Sequence, residues 1–348
     1  VERSGQIDPE HVVTVAHLLA EYTGRPPGTS FRREDLSPAP PPNPPPLGPS
    51  PETPAELERA LEAAGYLPDP ACTVAAFLAL RLGRPLLVEG PAGVGKTDLA
   101  RALADALSRP LVRLQCYEGL DESRALYEWD YAKQMLYTQL LRDRVAKEIE
   151  GAASLAEAVQ RLGGGADALF GEPFLVERPL LRALRAKEPV VLLVDEVDRA
   201  DPEFEAVLLE MLAEMQITIP ELGTIRAAHP PLVVLTTNAT RDMTDALRRR
   251  CLHAALDYPT PSRELRILER KVPGIARDLA EQLVAFVAKV RAIELRKAPS
   301  VAETLDWARA LLLLGASALE PELARSALGA LLKHEEDREK AAKLLGRA

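Results

Sequence analysis

The residues with the clearest chemistry are Gly90-Pro91-Ala92-Gly93-Val94-Gly95-Lys96-Thr97, a GxxxxGK[ST] loop. Its glycines let successive backbone N–H groups face a phosphate without a Cβ in the way, and a following helix N-terminus adds partial positive charge. Lys96 would reach the β and γ phosphates of a nucleotide and Thr97 would offer a hydroxyl to Mg²⁺. Asp98 completes the run of expected nucleotide-binding positions.

Such a loop needs a metal-ordering acid and a group that activates water. Asp195 and Glu196 follow the apolar stretch Val190-Val191-Leu192-Leu193-Val194. Asp195 fits the Mg²⁺ role, directly or through water, and Glu196 fits the base that polarises an attacking water. Leu232-Val233-Val234-Leu235 leads into Thr236-Thr237-Asn238, whose Asn238 amide can hold the lytic water or the γ-phosphate without adding charge. The NKxD pattern that reads guanine is absent, because Asn43 and Asn238 precede Pro44 and Ala239. Adenine is the expected base, so ATP with Mg²⁺ is the expected ligand.

The elements that must position these groups follow from pattern. Leu86-Leu87-Val88-Glu89 is a short buried strand ahead of the loop, and Asp98 to Leu107 is a helical run after it. The apolar segments before Asp195 and Thr236 read as central strands of a parallel sheet, whose C-terminal edge gathers the acids beside the phosphate loop. Gln216 to Arg226 alternates, turns at Glu221 to Gly223 and alternates again, a hairpin pattern.

Composition narrows the partners. The chain has 348 residues and a net charge of −9, which disfavours a general binder of phosphate backbones. Apolar runs such as Val74 to Leu80 fall short of the roughly 18 residues a membrane span needs. The leading stretch has no signal-peptide pattern, and a cytoplasmic protein is expected. The sequence starts at Val1 and its first methionine is Met135. Cys72, Cys116 and Cys251 lie far apart without CxxC, so buried thiols are expected rather than zinc or disulfides. His11 and His17 fall on different helix faces and form no metal pair. Of the 17 residues from Pro38 to Pro54, ten are proline. The tract reads as a stiff linker, with a proline-reading groove as the alternative partner, behind one isolated helix at His11 to Tyr22.

The order of motifs, ending in Asp245-Ala246-Leu247-Arg248-Arg249-Arg250-Cys251, resembles the AAA+ ATPases across residues 53 to 335. The resemblance implies an α/β fold, a P-loop AAA+ parallel five-stranded sheet flanked by helices, with a C-terminal all-α lid. It implies an arginine finger that enters the neighbouring subunit's nucleotide, at Arg250 with Arg249 a close second. Together with the hairpin and a long helical insertion from Asp121 to about Leu184, the chain resembles the MoxR family. Gln115 to Asp121 and Ala125 to Gln134 are similar to its CoxD branch, associated with maturation of molybdenum-containing carbon monoxide dehydrogenase. That resemblance implies a hexameric ATP-driven chaperone, a von Willebrand factor A domain partner and a protein client such as a molybdenum hydroxylase, with no nucleic acid and no membrane span.

The expected layout is a short helix and loop at 1–37, the linker at 38–54, the nucleotide core at 55–258 with its insert and hairpin, and a lid at 259–348. Lid helices are expected over Leu265 to Lys271, Ile275 to Ile293, Val301 to Leu314 and Pro321 to Leu332. The second sensor arginine of AAA+ lids has no match at Ser300-Val301-Ala302-Glu303, and Arg309 lies two turns on. Tyr127, Trp129, Tyr131 and Tyr137 cluster in a chain that is only 4% aromatic. Tyr127 and Tyr131 are expected on one helical face, against the core or a client. Gly163-Gly164-Gly165 reads as a break in the insert. Two other functions fit the motifs: a nucleotide-switched scaffold with little turnover, and a nucleic-acid-remodelling motor.

Overall fold

The computed structural model describes residues 50–140 and 171–346. The expected helix at His11 to Tyr22, most of the proline tract and the triple-glycine break lie outside the described residues.

The strands are β1 (Leu86–Glu89), β2 (Leu111–Gln115), β3 (Tyr127–Trp129), β4 (Leu175–Glu177), β5 (Val191–Asp195), β6 (Gln216–Ile219), β7 (Gly223–Arg226), β8 (Leu232–Thr237) and β9 (Leu252–Ala255). A five-stranded sheet runs β2-β5-β8-β1-β9, with every neighbouring pair parallel. β3 with β4 and β6 with β7 form separate antiparallel pairs.

Alternating side chains of the central strands enter two cores, as a parallel sheet covered on both faces requires. One face packs on α1 (Pro54–Ala63), α2 (Pro70–Leu82) and α3 (Lys96–Ala106), joining Val191, Leu193, Leu232 and Val234 to Leu57, Leu61, Ala76 and Leu103. Two further helices, α4 (Glu122–Ala125) and α5 (Tyr131–Leu140), flank β3. The opposite face packs on α6 (Pro179–Leu184), α7 (Pro202–Glu214) and α8 (Asp245–Arg250), where Leu192, Val194, Val233 and Leu235 meet Leu180, Leu181, Leu208 and Leu247.

The starts of α1 and α2 are written locally. Thr53 Oγ1 accepts from Glu56 N–H and Asp69 Oδ1 from Ala71 N–H, with Pro54 and Pro70 at the first helical positions. Proline suits that position because its fixed φ matches and no N–H is needed there. The proline tract therefore ends in folded structure, with Pro51 buried and Pro54 helical.

The C-terminal helices are α9 (Pro261–Lys271), α10 (Arg277–Arg291), α11 (Val301–Leu313), α12 (Pro321–Ser326), α13 (Leu328–Leu331) and α14 (Glu335–Leu345). They enclose a third core around the fully buried Trp307, which stacks at a tilt on Phe286 with ring centroids 5.4 Å apart. The expectation of four helices was too few. Pro321 to Leu332 breaks at Ala327, and α14 places Ala341 and Leu345 in the core behind a charged face.

The aromatic segment also differs from expectation. Tyr127 is in β3 and Tyr131 opens α5, so the two do not share a helical face. Asp130 sets the boundary: its N–H donates to Phe174 O, and its side chain and carbonyl accept from Lys133 N–H and Gln134 N–H. Trp129 is buried, whereas Tyr131 is 64% exposed. The insertion is thus not helical throughout, since β3 and β4 pair across its base.

One buried ion pair secures the C-terminal helices. Arg291 donates to both oxygens of Glu264 at 2.6 and 2.8 Å, its Nε reaches Pro299 O at 2.8 Å, and its guanidinium lies over Tyr258 at 4.8 Å. Glu264 is 2% exposed, so removal of its partner strands a charge. Arg291→Ala is expected to cost about 3–5 kcal/mol in urea unfolding, while Glu264→Leu combined with Arg291→Met recovers most of that loss.

Candidate functional site

The C-terminal ends of β1, β5 and β8 converge on a cleft of about 310 Å³, at the lower end of small-ligand pockets. Its walls include Ala92 to Asp98, Asp195, Glu196, Thr236 and Asn238 from the sheet side. Arg263, Ile267, Arg270 and Lys271 come from α9, and Val301, Ala302 and Leu305 from α11.

The glycine loop is shaped by close approach. A Cβ on Gly90 would lie 1.9 Å from the backbone oxygen of Leu256, and one on Gly93 would lie 2.4 Å from Ser300 Oγ. Gly93 has φ +75° and its carbonyl accepts from Ala302 N–H at 3.2 Å, so the loop touches the start of α11 directly. Ser300 starts that helix with a reciprocal capping box to Glu303.

Lys96 is 6% exposed. Its ammonium donates to Gly90 O at 2.6 Å, Pro91 O at 2.7 Å and Asn238 Oδ1 at 2.7 Å. Burial lowers its pKa, against the raising effect of Asp198, Glu196 and Asp195. Those oxygens occupy its donors much as phosphate oxygens would.

Asp195 is bonded through both carboxylate oxygens. Its Oδ1 accepts from Thr236 Oγ1 at 2.6 Å and from Thr97 Oγ1 at 3.0 Å, and its Oδ2 accepts from Arg113 Nη2 at 2.7 Å. Glu196 follows at φ +56°, a left-handed position that costs a non-glycine residue strain. Its backbone N–H donates to Thr236 Oγ1 at 2.9 Å. Its carboxylate accepts from Asn238 Nδ2 at 3.3 Å, Gln115 Nε2 at 3.1 Å and Arg199 Nε at 3.0 Å. Asn238 therefore bridges Lys96 and Glu196.

The predicted loop residues, Asp195, Glu196 and Asn238 are brought together. Arg250 is not: it is exposed, donates to Ala246 O and lies outside the cleft lining. Arg84 donates to the carbonyls of Arg249 and Arg250, fixing the end of α8 on which both arginines stand. Arg248, next to them, pairs with Glu89 at 3.2 Å. Ala302 occupies cleft wall where a lid arginine was sought, and Arg309 is tied to Asp306 and Lys271 O outside it. The sequence reading missed Arg113, Gln115, Arg199, Thr236 and the α9 cations. Lys271 reaches Asp98 at 3.3 Å. The basic spacing of Arg263, Arg270 and Lys271 was the available signal for that wall.

The donor set suits a hard cation. Thr97 Oγ1 and the Asp195 carboxylate are oxygen ligands beside a phosphate loop, and among the described residues no cluster of three or more His, Cys, Asp or Glu could hold a metal alone. Mg²⁺ is bound in this manner, through one or two protein oxygens with phosphates and water completing its shell. Cys72, Cys116 and Cys251 are buried, with burial pushing each thiol up to about 12, so they remain unreactive.

Residues 85–251 match the AAA domain of the dynein-related subfamily. That region is an AAA domain, and the chain resembles the MoxR-type AAA+ ATPases. Protein NorQ of Paracoccus denitrificans is 26% identical over 243 residues, covering 68% of this chain and 75% of NorQ. The denitrification regulatory protein NirQ of Pseudomonas aeruginosa is 26% identical over 234 residues, 65% of this chain and 74% of NirQ. Chaperone protein ClpB 2 of Thermosynechococcus vestitus is 29% identical over 203 residues, 56% of this chain but only 18% of ClpB 2. The parallel sheet and its flanking helices are of the expected fold class. No helix among the described residues is long and apolar enough to cross a membrane.

Asp198 ties the turn after Glu196 to the Asn238 loop. Its carboxylate accepts from Asn238 N–H at 3.3 Å, Thr240 N–H at 3.0 Å and Thr240 Oγ1 at 2.5 Å. Burial alone would raise its pKa, but those bonds outweigh it and hold the carboxyl below its ordinary value of 3.8. A depressed carboxyl stabilises the fold above its unfolded pKa and loses that effect as pH falls through its folded pKa. Urea midpoints should therefore favour wild type over Asp198→Asn at neutral pH, with the gap narrowing below about pH 4.

Proposed function

We propose that the chain hydrolyses ATP in this cleft and uses the cycle to remodel or activate a protein client. The observation that carries the reading is the Asn238 amide, placed between the Lys96 ammonium and the Glu196 carboxylate. A nucleotide would take up the Lys96 donors with its β and γ phosphate oxygens, in place of the Gly90 and Pro91 carbonyls. Ala92 to Gly95 would present backbone N–H groups to the phosphates, with Asp98 beside them at the start of α3.

Thr97 and Asp195 would hold Mg²⁺. Bound there, the ion would supply neutralising charge to the phosphates. Glu196 would accept a proton from the water that attacks the γ-phosphorus, yielding ADP and inorganic phosphate. Gln115 and Arg199 orient its carboxylate, and Asn238 polarises it. Tyr66, Leu67 and Ile267 line the same cleft and would offer apolar surface to the base.

The exposed Arg250 fits a finger that completes a neighbouring copy's site, with Arg249 one residue away. Such a finger would act in a homo-oligomer, hexameric as the MoxR resemblance implies. The leading segment at 1–37, the Pro-rich linker at 38–54, the nucleotide core at 55–258 and the lid at 259–348 form the proposed layout. For the client, the CoxD-like segments at Gln115 to Asp121 and Ala125 to Gln134 favour a metalloenzyme such as a molybdenum hydroxylase, with a von Willebrand factor A domain partner. Similarity to a denitrification regulatory protein and to a chaperone supports that class of task. The net charge of −9 favours a protein client over nucleic acid and fits a cytoplasmic setting.

Glu196→Gln and Arg250→Ala are each expected to lower steady-state ATP turnover about 10²- to 10⁴-fold, with nucleotide affinity changed only a few-fold. Wild-type turnover at background, unaltered in Glu196→Gln, would refute the hydrolytic reading and leave a nucleotide-switched scaffold.

A further inference from the structure

Arg113 is the cation nearest the Asp195 carboxylate, yet it lies in neither the glycine loop nor the C-terminal helices. It stands on β2, two residues before Gln115 and so on the same side of the strand. β2 pairs in parallel with β5, setting Gln115 opposite Asp195. Arg113 Nη2 donates to Asp195 Oδ2 at 2.7 Å and to Gln115 Oε1 at 2.5 Å.

The two partners differ in their access to water. The Asp195 side chain is 4% exposed and the Arg113 side chain 47% exposed. A carboxylate so deeply placed requires positive charge or several donors. Thr97 and Thr236 supply hydroxyls, and Arg113 supplies the charge. Thr97 Oγ1 also lies 3.2 Å from Asp195 Oδ2, so the oxygen that receives Arg113 faces the hydroxyl proposed to hold the metal.

A divalent cation shared by Thr97 and Asp195 would meet a guanidinium already bonded to that oxygen. Two positive groups at one carboxylate oxygen repel, and the one that can rehydrate yields. Arg113 can do so, being half exposed and retaining Gln115 Oε1 as a second acceptor.

We propose that Arg113 is a built-in counter-ion on the metal side of Asp195 that is displaced when the metal–nucleotide complex binds. Arg113 then sets the Mg²⁺ concentration at which nucleotide is retained. It is a positioning residue that acts through Asp195 and contacts no substrate atom. The proposal rests on the reading of Asp195 as the metal-side acid.

The test titrates Mg²⁺ against a fixed concentration of fluorescent ADP, so no turnover enters the readout. Wild type, Arg113→Met, Arg113→Gln and Arg113→Lys are compared in the full chain. The Mg²⁺ midpoint is expected to fall about tenfold in the two uncharged variants and to stay near wild type in Arg113→Lys. Without nucleotide, Mg²⁺ should raise the melting temperature of the uncharged variants and leave wild type unchanged. Arg113→Gln retains a hydrogen-bond donor, so it serves if Arg113→Met fails to fold. An unchanged or higher midpoint in a folded uncharged variant would overturn the proposal. Failure of wild type to bind ADP at any Mg²⁺ concentration would instead overturn the nucleotide-site reading on which it depends.

Discussion

A carboxylate at the dry end of a central strand constrains the whole arrangement. Asp195 closes β5, whose Val191 to Val194 side chains are fully buried, and an acid there is tolerable only if its oxygens are bonded. The bonds come from three directions: Thr97 on α3, Arg113 on β2 and Thr236 on β8. Satisfying one buried acid thus fixes the phosphate-loop helix and both neighbouring strands around it. Thr236 carries the effect one residue further, since its hydroxyl also accepts the Glu196 N–H and helps hold that residue at positive φ.

Contact between the loop and the C-terminal helices is made by backbone and a serine. In place of a lid arginine at the start of α11, the Gly93 carbonyl receives Ala302 N–H, and Ser300 fills the space that a side chain on Gly93 would need. Positive charge reaches the cleft from α9, where Lys271 rests on Asp98. Movement of the C-terminal helices would therefore act on the phosphate loop through backbone packing and on the first turn of α3 through an ion pair.

The parts of this site legible in sequence are those compressed into a few consecutive residues. The glycine loop, the Asp195-Glu196 pair and the strand before Asn238 each announce themselves through local composition, and with them the parallel sheet. Arg113 and Thr236 did not, because they lie 82 and 41 residues from Asp195 and meet it only through the β2-β5-β8 strand order. Periodicity misled at Tyr127 and Tyr131: four residues apart they resemble one helical face, but Asp130 ends a strand and caps a helix between them. It also passed over α14, whose few apolar contacts are masked by the acidic first turn Glu335, Glu336 and Asp337.

The central claim is that Asp195 links metal, phosphate loop and base. It is tested most directly by calorimetric binding of a non-hydrolysable ATP analogue, with and without Mg²⁺, to wild type and Asp195→Asn. Wild type should bind at least about tenfold more tightly with Mg²⁺, and a folded Asp195→Asn should bind with nearly the same affinity in both conditions. Full Mg²⁺-dependent tightening in Asp195→Asn would contradict the account.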